Sequence, residues 1–342
     1  MKPIVGITMG DPGSIGPEIT IKAWKNLSIH NRCRPVVIGD ANVLENAKKY
    51  MTFSDLVIRS IPTVQEAIFD SNIINVIDLK LIDIEKLKIG EITKESGDAA
   101  FQYIVKTIDL AMKGEIDATV TNAISKEAIN LAGHHYSGHT EIYAEYTHTD
   151  KYTMMLVHKD LRVVHVSTHV SLREACDRAK KERVLDVIQI ANSACKEIGI
   201  RQPKIAVAGL NPHCGENGMF GHEEIDEIIP AIKEAKQMGI IVEGPIPPDT
   251  VFSKANGGWY DIVVCMYHDQ GHIPLKVQGF QYNRQKQEWD AVEGVNITLG
   301  LPIIRCSVDH GTAFDHAGKG DANELSLVNA IDYAIKMANA RQ

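Results

Sequence analysis

Asp261-Ile-Val-Val-Cys-Met-Tyr-His-Asp-Gln-Gly-His-Ile-Pro-Leu-Lys276 changes character at its middle. The first half is a short apolar run rich in β-branched residues, which predicts a strand buried on both faces. The second half breaks into His268, Asp269, Gln270 and Gly271. A side chain able to bind metal or move a proton therefore sits where the strand runs out, and open α/β sheets bind their ligands there.

The same arrangement occurs twice more. Leu161-Arg-Val-Val-His-Val-Ser-Thr168 is followed at once by His169, and Lys204-Ile-Ala-Val-Ala-Gly209 by Leu210-Asn-Pro-His213. If the three strands are parallel neighbours, His169, His213 and His268 emerge on one carboxyl edge and can converge. Three imidazoles with an open fourth position describe a catalytic divalent-metal site, for which zinc or cobalt is the natural ion and magnesium or manganese the alternative. Taken singly, each histidine reads better as an ordinary loop residue; it is the three strand ends in succession that reverse this.

The 342 residues suffice for a large core divided between two lobes. A net charge of −8, with no basic block and no aromatic residues interleaved with arginines, excludes nucleic acid as an expected partner. An anionic substrate stays open, because a local cluster of Lys, Arg and metal overrides a mildly acidic average. The six cysteines form no C-x-x-C pair and read as free thiols in a reducing compartment. Cys214, beside His213, is also weighed as a nucleophile or a fourth ligand. Met-Lys-Pro-Ile-Val-Gly enters a strand directly, without a signal-peptide layout, and no apolar run approaches membrane-spanning length. No membrane contact and a cytoplasmic location are expected.

Along the chain, strands alternate with helices, which argues for parallel sheets covered on both sides. Gly10-Asp-Pro-Gly-Ser-Ile-Gly-Pro-Glu18 turns the first strand into a helix, with Pro17 in the first turn and Glu18 beside the positive end of the dipole. It lacks G-x-G-x-x-G spacing, and reads either as a close ligand approach or as a tight turn. Asp40 is placed as a helix cap, and Ser125 caps a short helix. Tyr136-Ser-Gly-His-Thr-Glu141 opens a helix and suits either an anion or plain capping. Ser171-Leu-Arg-Glu174 predicts a capping box opening one long helix to Gly199. His222-Glu-Glu-Ile-Asp226 begins another helix and is not H-E-x-x-H. Gly244 to Thr250 reads as a rigid turn in which Asp249 either supports a metal ligand or forms the turn. Residues 278–293 read as a surface hairpin or excursion, and 294–308 as a strand presenting Asn296 and Arg305. Arg305 can clamp a carboxylate or phosphate, with Lys276 as a point charge.

These stretches together resemble the 4-hydroxythreonine-4-phosphate dehydrogenase family. The resemblance rests on Gly10-Asp-Pro…Ile-Gly-Pro-Glu18, Gly138-His-Thr-Glu141, Thr168-His169, Gly209-Leu-Asn-Pro-His213, Met266-Tyr-His-Asp-Gln-Gly271, Val295-Asn-Ile-Thr-Leu-Gly-Leu-Pro302 and Ser307-Val-Asp-His-Gly-Thr312. It implies a fold similar to isopropylmalate dehydrogenase, with two α/β/α lobes and a cleft between them, and a homodimer with the active site at the subunit interface. It also implies a divalent metal on His169, His213 and His268, which with Lys276 form the catalytic set. Substrate contacts would come from His139, Thr140, Lys276, Asn296 and Arg305. An NAD-holding loop looks to be His310-Gly-Thr-Ala-Phe-Asp-His-Ala-Gly-Lys-Gly320, beginning with His310, Gly311, Thr312 and Ala313.

Two departures bear on the substrate. Gly13-Ser14 replaces the family's usual Ala-Gly, and residues 278–293 are longer than in the vitamin B6 enzymes. Together with Ser137-Gly-His-Thr140, the longer segment is similar to the branch that oxidises D-threonate or D-erythronate 4-phosphate to dihydroxyacetone phosphate and carbon dioxide. The alternatives are 4-hydroxy-L-threonine 4-phosphate oxidation for pyridoxal phosphate and, from another class, a non-redox phosphate acyltransferase. The expected lobes are 1–131 plus 317–342, and 132–316.

Overall fold

The strands form where β-branched runs predict them. The computed structural model describes residues 1–51, 55–279, 282–283, 288–289 and 293–341. Its first five strands are β1 (Ile4–Thr8), β2 (Arg34–Gly39), β3 (Val57–Ile61), β4 (Ile73–Asp78) and β5 (Ala118–Thr121). Then come β6 (Thr153–His158), β7 (Leu161–His165), β8 (Ile205–Ala208), β9 (Val242–Ile246), β10 (Ile262–Cys265) and β11 (Val295–Leu299), and finally β12 (Arg305–Val308). Tyr282–Asn283 pairs antiparallel with Glu288–Trp289, which gives the expected hairpin; the rest of 280–292 lies outside the described residues.

The chain divides into two units, Met1–Asp150 with Leu301–Gln342, and Lys151–Gly300. The lobe boundaries expected at 131 and 316 thus fall at 150 and 300. Helix His139–Tyr146 belongs with the first sheet because the Tyr143 hydroxyl donates to Thr119 Oγ1 on β5 at 3.1 Å. The strand β12 belongs there too, since it pairs in parallel with β5.

In the first unit the sheet order is β3-β4-β2-β1-β5-β12, every pair parallel. Strands β5 and β12 are buried at every position, as a sheet covered on both faces requires. Four helices matter here: α1 (Gly16–Trp24), α2 (Lys94–Met112), α3 (Lys126–Leu131) and α4 (His139–Tyr146). Ser125 caps α3 as predicted, its side chain accepting from the Ala128 N–H. Asp40 precedes a helix but does not cap it; its Oδ2 accepts instead from the Ile82 N–H at 2.6 Å.

The second unit has the order β11-β6-β7-β10-β8-β9. The strands β7, β10 and β8 are consecutive parallel neighbours, the arrangement on which the histidine argument depended. The strand β6 runs antiparallel to both β7 and β11, so this sheet is mixed. The predicted long helix after Ser171 is two: α5 (Leu172–Arg178) and α6 (Lys181–Glu197). Ser171 accepts from the Glu174 N–H at 3.2 Å, but the Glu174 carboxylate turns to Arg178 rather than closing the box. The helix expected from His222 starts with one wide π turn, Glu224–Ile228, ahead of α7 (Ile229–Gln237). Gly244 to Thr250 is no isolated turn: it ends β9 and starts α8 (Pro248–Asn256). The helix α9 (His268–Gly279) follows β10, and α10 (Leu325–Arg341) packs on β12, β5 and β1. The run from 294 to 308 is two strands rather than one, split at 300–304. Among the described residues no helix is long and apolar enough to cross a membrane.

Gly97 lets α2 and α3 touch. A Cβ there would collide with the Ala128 carbonyl and stand 2.7 Å from the Ile129 nitrogen, and backbone atoms do not step aside. Replacing a helical glycine by alanine ordinarily gains up to about 1 kcal/mol, whereas overpacking costs roughly 1–3 kcal/mol. Gly97→Ala is therefore expected to lower the urea midpoint at unchanged slope. A raised midpoint would show that the two helices have room to separate.

Candidate active site

The carboxyl edge of the second unit is laced together by side chains. Gln270 Oε1 accepts from the Met266 N–H at 2.7 Å, and its Nε2 donates to the Gly209 carbonyl at 2.8 Å, joining the exits of β10 and β8. Ser167 Oγ donates to the Met266 carbonyl at 3.0 Å and ties in the exit of β7. Buried Glu224 accepts from the Leu210 and Asn211 N–H groups at 2.8 and 2.7 Å, fixing the approach to His213.

On this frame stands a group of imidazoles. His268 is the first residue of α9, and its ring centroid lies 5.8 Å from that of His169. With metal–nitrogen bonds of about 2 Å, two rings on one ion would have centroids roughly 5–6 Å apart, so this pair is spaced for shared coordination. His268 Nδ1–H donates to Asp269 at 2.8 Å, which leaves a lone pair on Nε2. That bond holds the Asp269 carboxyl below its usual range. His272, one turn on, stacks on His268 at 3.6 Å and donates from Nδ1 to the His268 carbonyl at 2.9 Å. Burial pushes His272 down to about 4 and His165 down to about 3, so both are neutral imidazoles. Gly271 permits this packing: a Cβ there would sit 2.5 Å from His165 Nε2.

His213 does not join the pair. It lies exposed in the segment Pro212–Gly218, which is left-handed from His213 on, with φ of +52° at His213 and +57° at Cys214. Among the described residues no three His, Cys, Asp or Glu side chains are close enough to hold one ion. The donor chemistry suits a borderline divalent cation, but one chain assembles two of the three expected ligands. Burial and the Glu224 charge push the Cys214 thiol up to about 11, which disfavours both a nucleophilic and a ligating thiolate. Asp249 is exposed in the first turn of α8.

Lys276 stands one turn beyond His272 on α9, exposed, and its charge reaches both His272 and Asp269. Asn296 on β11 donates to Met154 Sδ at 2.9 Å, and its Oδ1 is buried with no hydrogen-bond partner among the described residues.

In the first unit, Arg305 opens β12 at 2% exposure, donates to Thr121 Oγ1 at 2.9 Å and lies over the Tyr143 ring at 5.6 Å. His139 and Thr140 begin α4 behind Gly138. Burial holds His139 well below the ordinary imidazole range, helped by the charges of Arg305 and Lys126. The two glycine-containing loops, read separately in the sequence, are bound together: buried Glu18 accepts from the Gly318 and Gly320 N–H groups, the latter at 2.9 Å. The Ile15 N–H donates to the Thr312 carbonyl at 3.3 Å. His310 Nδ1–H donates to the Gly311 carbonyl at 2.8 Å while Nε2 is buried without a partner among the described residues, and Ala313 has φ of +43°.

Sequence reading passed over His165, His272, Gln270, Glu224 and Ser167. His272 sits four residues after His268, a spacing that puts both on one helix face and was there to be read. His165 sits inside an apolar strand and carried no such signal.

A profile of the family described as pyridoxal phosphate biosynthetic protein PdxA matches residues 31–334. A D-threonate 4-phosphate dehydrogenase of Cupriavidus necator is 46% identical over 99% of this chain and 98% of its own. A protein of Oceanobacillus iheyensis, described provisionally under the same name, is 49% identical over 98% of each. The crystal structure of 4-hydroxythreonine-4-phosphate dehydrogenase from Klebsiella pneumoniae aligns at a TM-score of 0.85 and 44% identity, covering 98% of this chain and 99% of that one. A parallel-stranded core with histidines at its strand exits, matched over its length by these dehydrogenases, belongs to the PdxA family.

Proposed function

We propose that this chain oxidises and decarboxylates D-threonate 4-phosphate, or its epimer D-erythronate 4-phosphate, to dihydroxyacetone phosphate and carbon dioxide, with NAD accepting the hydride. The observation that carries the substrate is the 46–49% identity, over nearly the whole chain, to relatives of that name. The same membership disposes of the acyltransferase alternative.

His169, His213 and His268 would hold the divalent ion, zinc being the best match to three imidazoles. The chemistry such an ion supplies when bound is Lewis-acid polarisation of substrate oxygens. The chain's own groups do the rest. Arg305 presents a desolvated fork for an anionic group, and Lys276 a point charge. Neutral His139 can donate or accept a hydrogen bond without repelling a cation, and Thr140 adds a hydroxyl. His310, Gly311, Thr312 and Ala313 begin the loop read as the NAD holder, which Glu18 clamps. In the reaction a C–H hydride passes to NAD and the hydroxyl proton to solvent; carbon dioxide then departs, and the electron pair it leaves takes up a proton.

A homodimer answers the incomplete donor set. His169 and His213 are exposed and His268 is half-buried, so a second copy can complete the coordination, and the site is read as lying at the subunit interface. The cytoplasm is the compartment that suits free thiols and NAD.

Assaying NADH formation with 4-phospho-D-threonate, 4-phospho-D-erythronate and 4-phosphohydroxy-L-threonine should give turnover of the sugar-acid phosphates, abolished by chelator and restored by zinc or manganese. Preference for the amino compound would move the chain to the vitamin B6 reaction. Turnover indifferent to chelator would remove the metal.

Shared ligation makes a second prediction. When His169→Ala, His213→Ala and His268→Ala chains are unfolded and refolded together pairwise, at least one mixture should recover about a quarter of wild-type activity, since half the dimers are hybrids with one intact site each. Recovery in none of the three mixtures would mean that each site draws its ligands from a single chain.

A further inference from the structure

We infer that Lys126, which no motif singled out, is a second cation beside Arg305 at the anion-binding group of the first unit and selects for the phosphoryl group of the substrate. The inference rests on the proposed phosphorylated substrate.

Ser125 fixes where Lys126 begins α3, so its position is set by a cap rather than left to a loop. The side chain runs toward the start of α4: a Cβ at Gly138 would lie 3.8 Å from Lys126 Cε, in ordinary van der Waals contact. Gly138 therefore leaves open the surface across which the lysine stem passes, immediately before His139 and Thr140. The Lys126 charge is felt at His139, where it acts in the same direction as that of Arg305. Two cations thus bear on one neutral imidazole.

Lys126 forms no ion pair among the described residues, although exposed lysines elsewhere in this chain do, such as Lys113 with Asp109 at 2.9 Å and Lys151 with Asp186 at 2.9 Å. The nearby carboxylate is Glu141, whose Oε2 would lie 3.5 Å from a Gly138 Cβ and whose charge acts on Arg305. Arg305 carries one positive charge and Glu141 offsets part of it, so Arg305 alone falls short of balancing a dianion. A phosphate monoester carries close to two charges at neutral pH. Lys126 supplies the second, as a flexible point charge at the exposed rim beside a buried, planar fork.

The test uses the full-length chain with its metal and cofactor. For Lys126→Met the KM for 4-phospho-D-threonate should rise about tenfold or more with kcat within about twofold, the pattern of lost binding common to ground and transition states. Inhibition by inorganic phosphate should weaken by a similar factor, and Lys126→Arg should recover most of both. An unchanged KM would overturn the assignment. So would a raised KM with unchanged phosphate inhibition, because the lysine would then hold the carboxylate end. A matching fall in melting temperature that Lys126→Arg does not rescue would mark the lysine as structural and overturn it as well. Inhibition by inorganic phosphate is read on whichever of the three acids the wild type oxidises, so an error in the substrate assignment shows as a wild-type preference and leaves the lysine comparison intact.

Discussion

The amide of Gln270 holds the exits of two strands at once. Its oxygen takes the Met266 N–H beyond β10 and its nitrogen reaches the Gly209 carbonyl beyond β8, with the side chain itself buried. Parallel strands end in a row of backbone groups that their own sheet no longer pairs, and a buried donor or acceptor left alone costs about 1–3 kcal/mol. One side chain here satisfies a group on each of two crossovers. The register in which His268 starts α9 is thereby tied to the place where the chain turns toward His213. Ser167 does the same for the exit that leads to His169. Precision at the imidazoles is thus inherited from hydrogen bonds that touch none of them.

Neutral histidines occur in both units, for different reasons. In the second unit His165 and His272 are neutral because burial removes water and because each stands beside other imidazoles. A neutral imidazole keeps a lone pair, which a protonated one lacks, so crowding several of them on one edge preserves donors for a cation. In the first unit His139 is neutral through burial and the neighbouring charges of Arg305 and Lys126. There the effect is the opposite: the positive charge stays on the guanidinium and ammonium groups, which do not titrate near neutrality. One edge keeps the lone pairs that the proposed cation would need, and the other keeps the fixed positive charge that the proposed anion would need.

Much of this was legible in the sequence, and the parts that were not share a cause. Strand exits at Cys265, His165 and Ala208 follow from β-branched runs that stop abruptly, and their parallel adjacency follows from the helices between them. Helix caps at Ser125 and Ser171 were legible because capping is local. The Ser171 helix was overextended because nothing local announces the break at Ala179 and Lys180. The unit boundaries were misplaced because Tyr143 and β12 are assigned by contacts with β5, more than twenty residues away in one case and nearly two hundred in the other. Gln270 and Glu18 were visible as residues but not as bridges, since each acts on backbone groups distant in sequence.

Glu18 shows how far such a bridge can change the meaning of a residue. As a first-turn carboxylate it looked like a partner for the helix dipole, a contribution of about 0.3–1 kcal/mol at an exposed position. Its burial at 2% exposure removes that reading, because a carboxylate is not taken out of water for so small a return. What offsets the desolvation is the pair of N–H groups from Gly318 and Gly320, which bind both of its oxygens. The loop that starts at His310 is consequently anchored at its far end to the helix that follows β1, and near its start by the bond from Ile15 to Thr312. Two anchors leave Ala313 in a left-handed conformation that a loop free to relax would abandon. A segment held in that state by its neighbours is preorganised, which is what the loop proposed to hold NAD would need in a chain without a G-x-G-x-x-G turn.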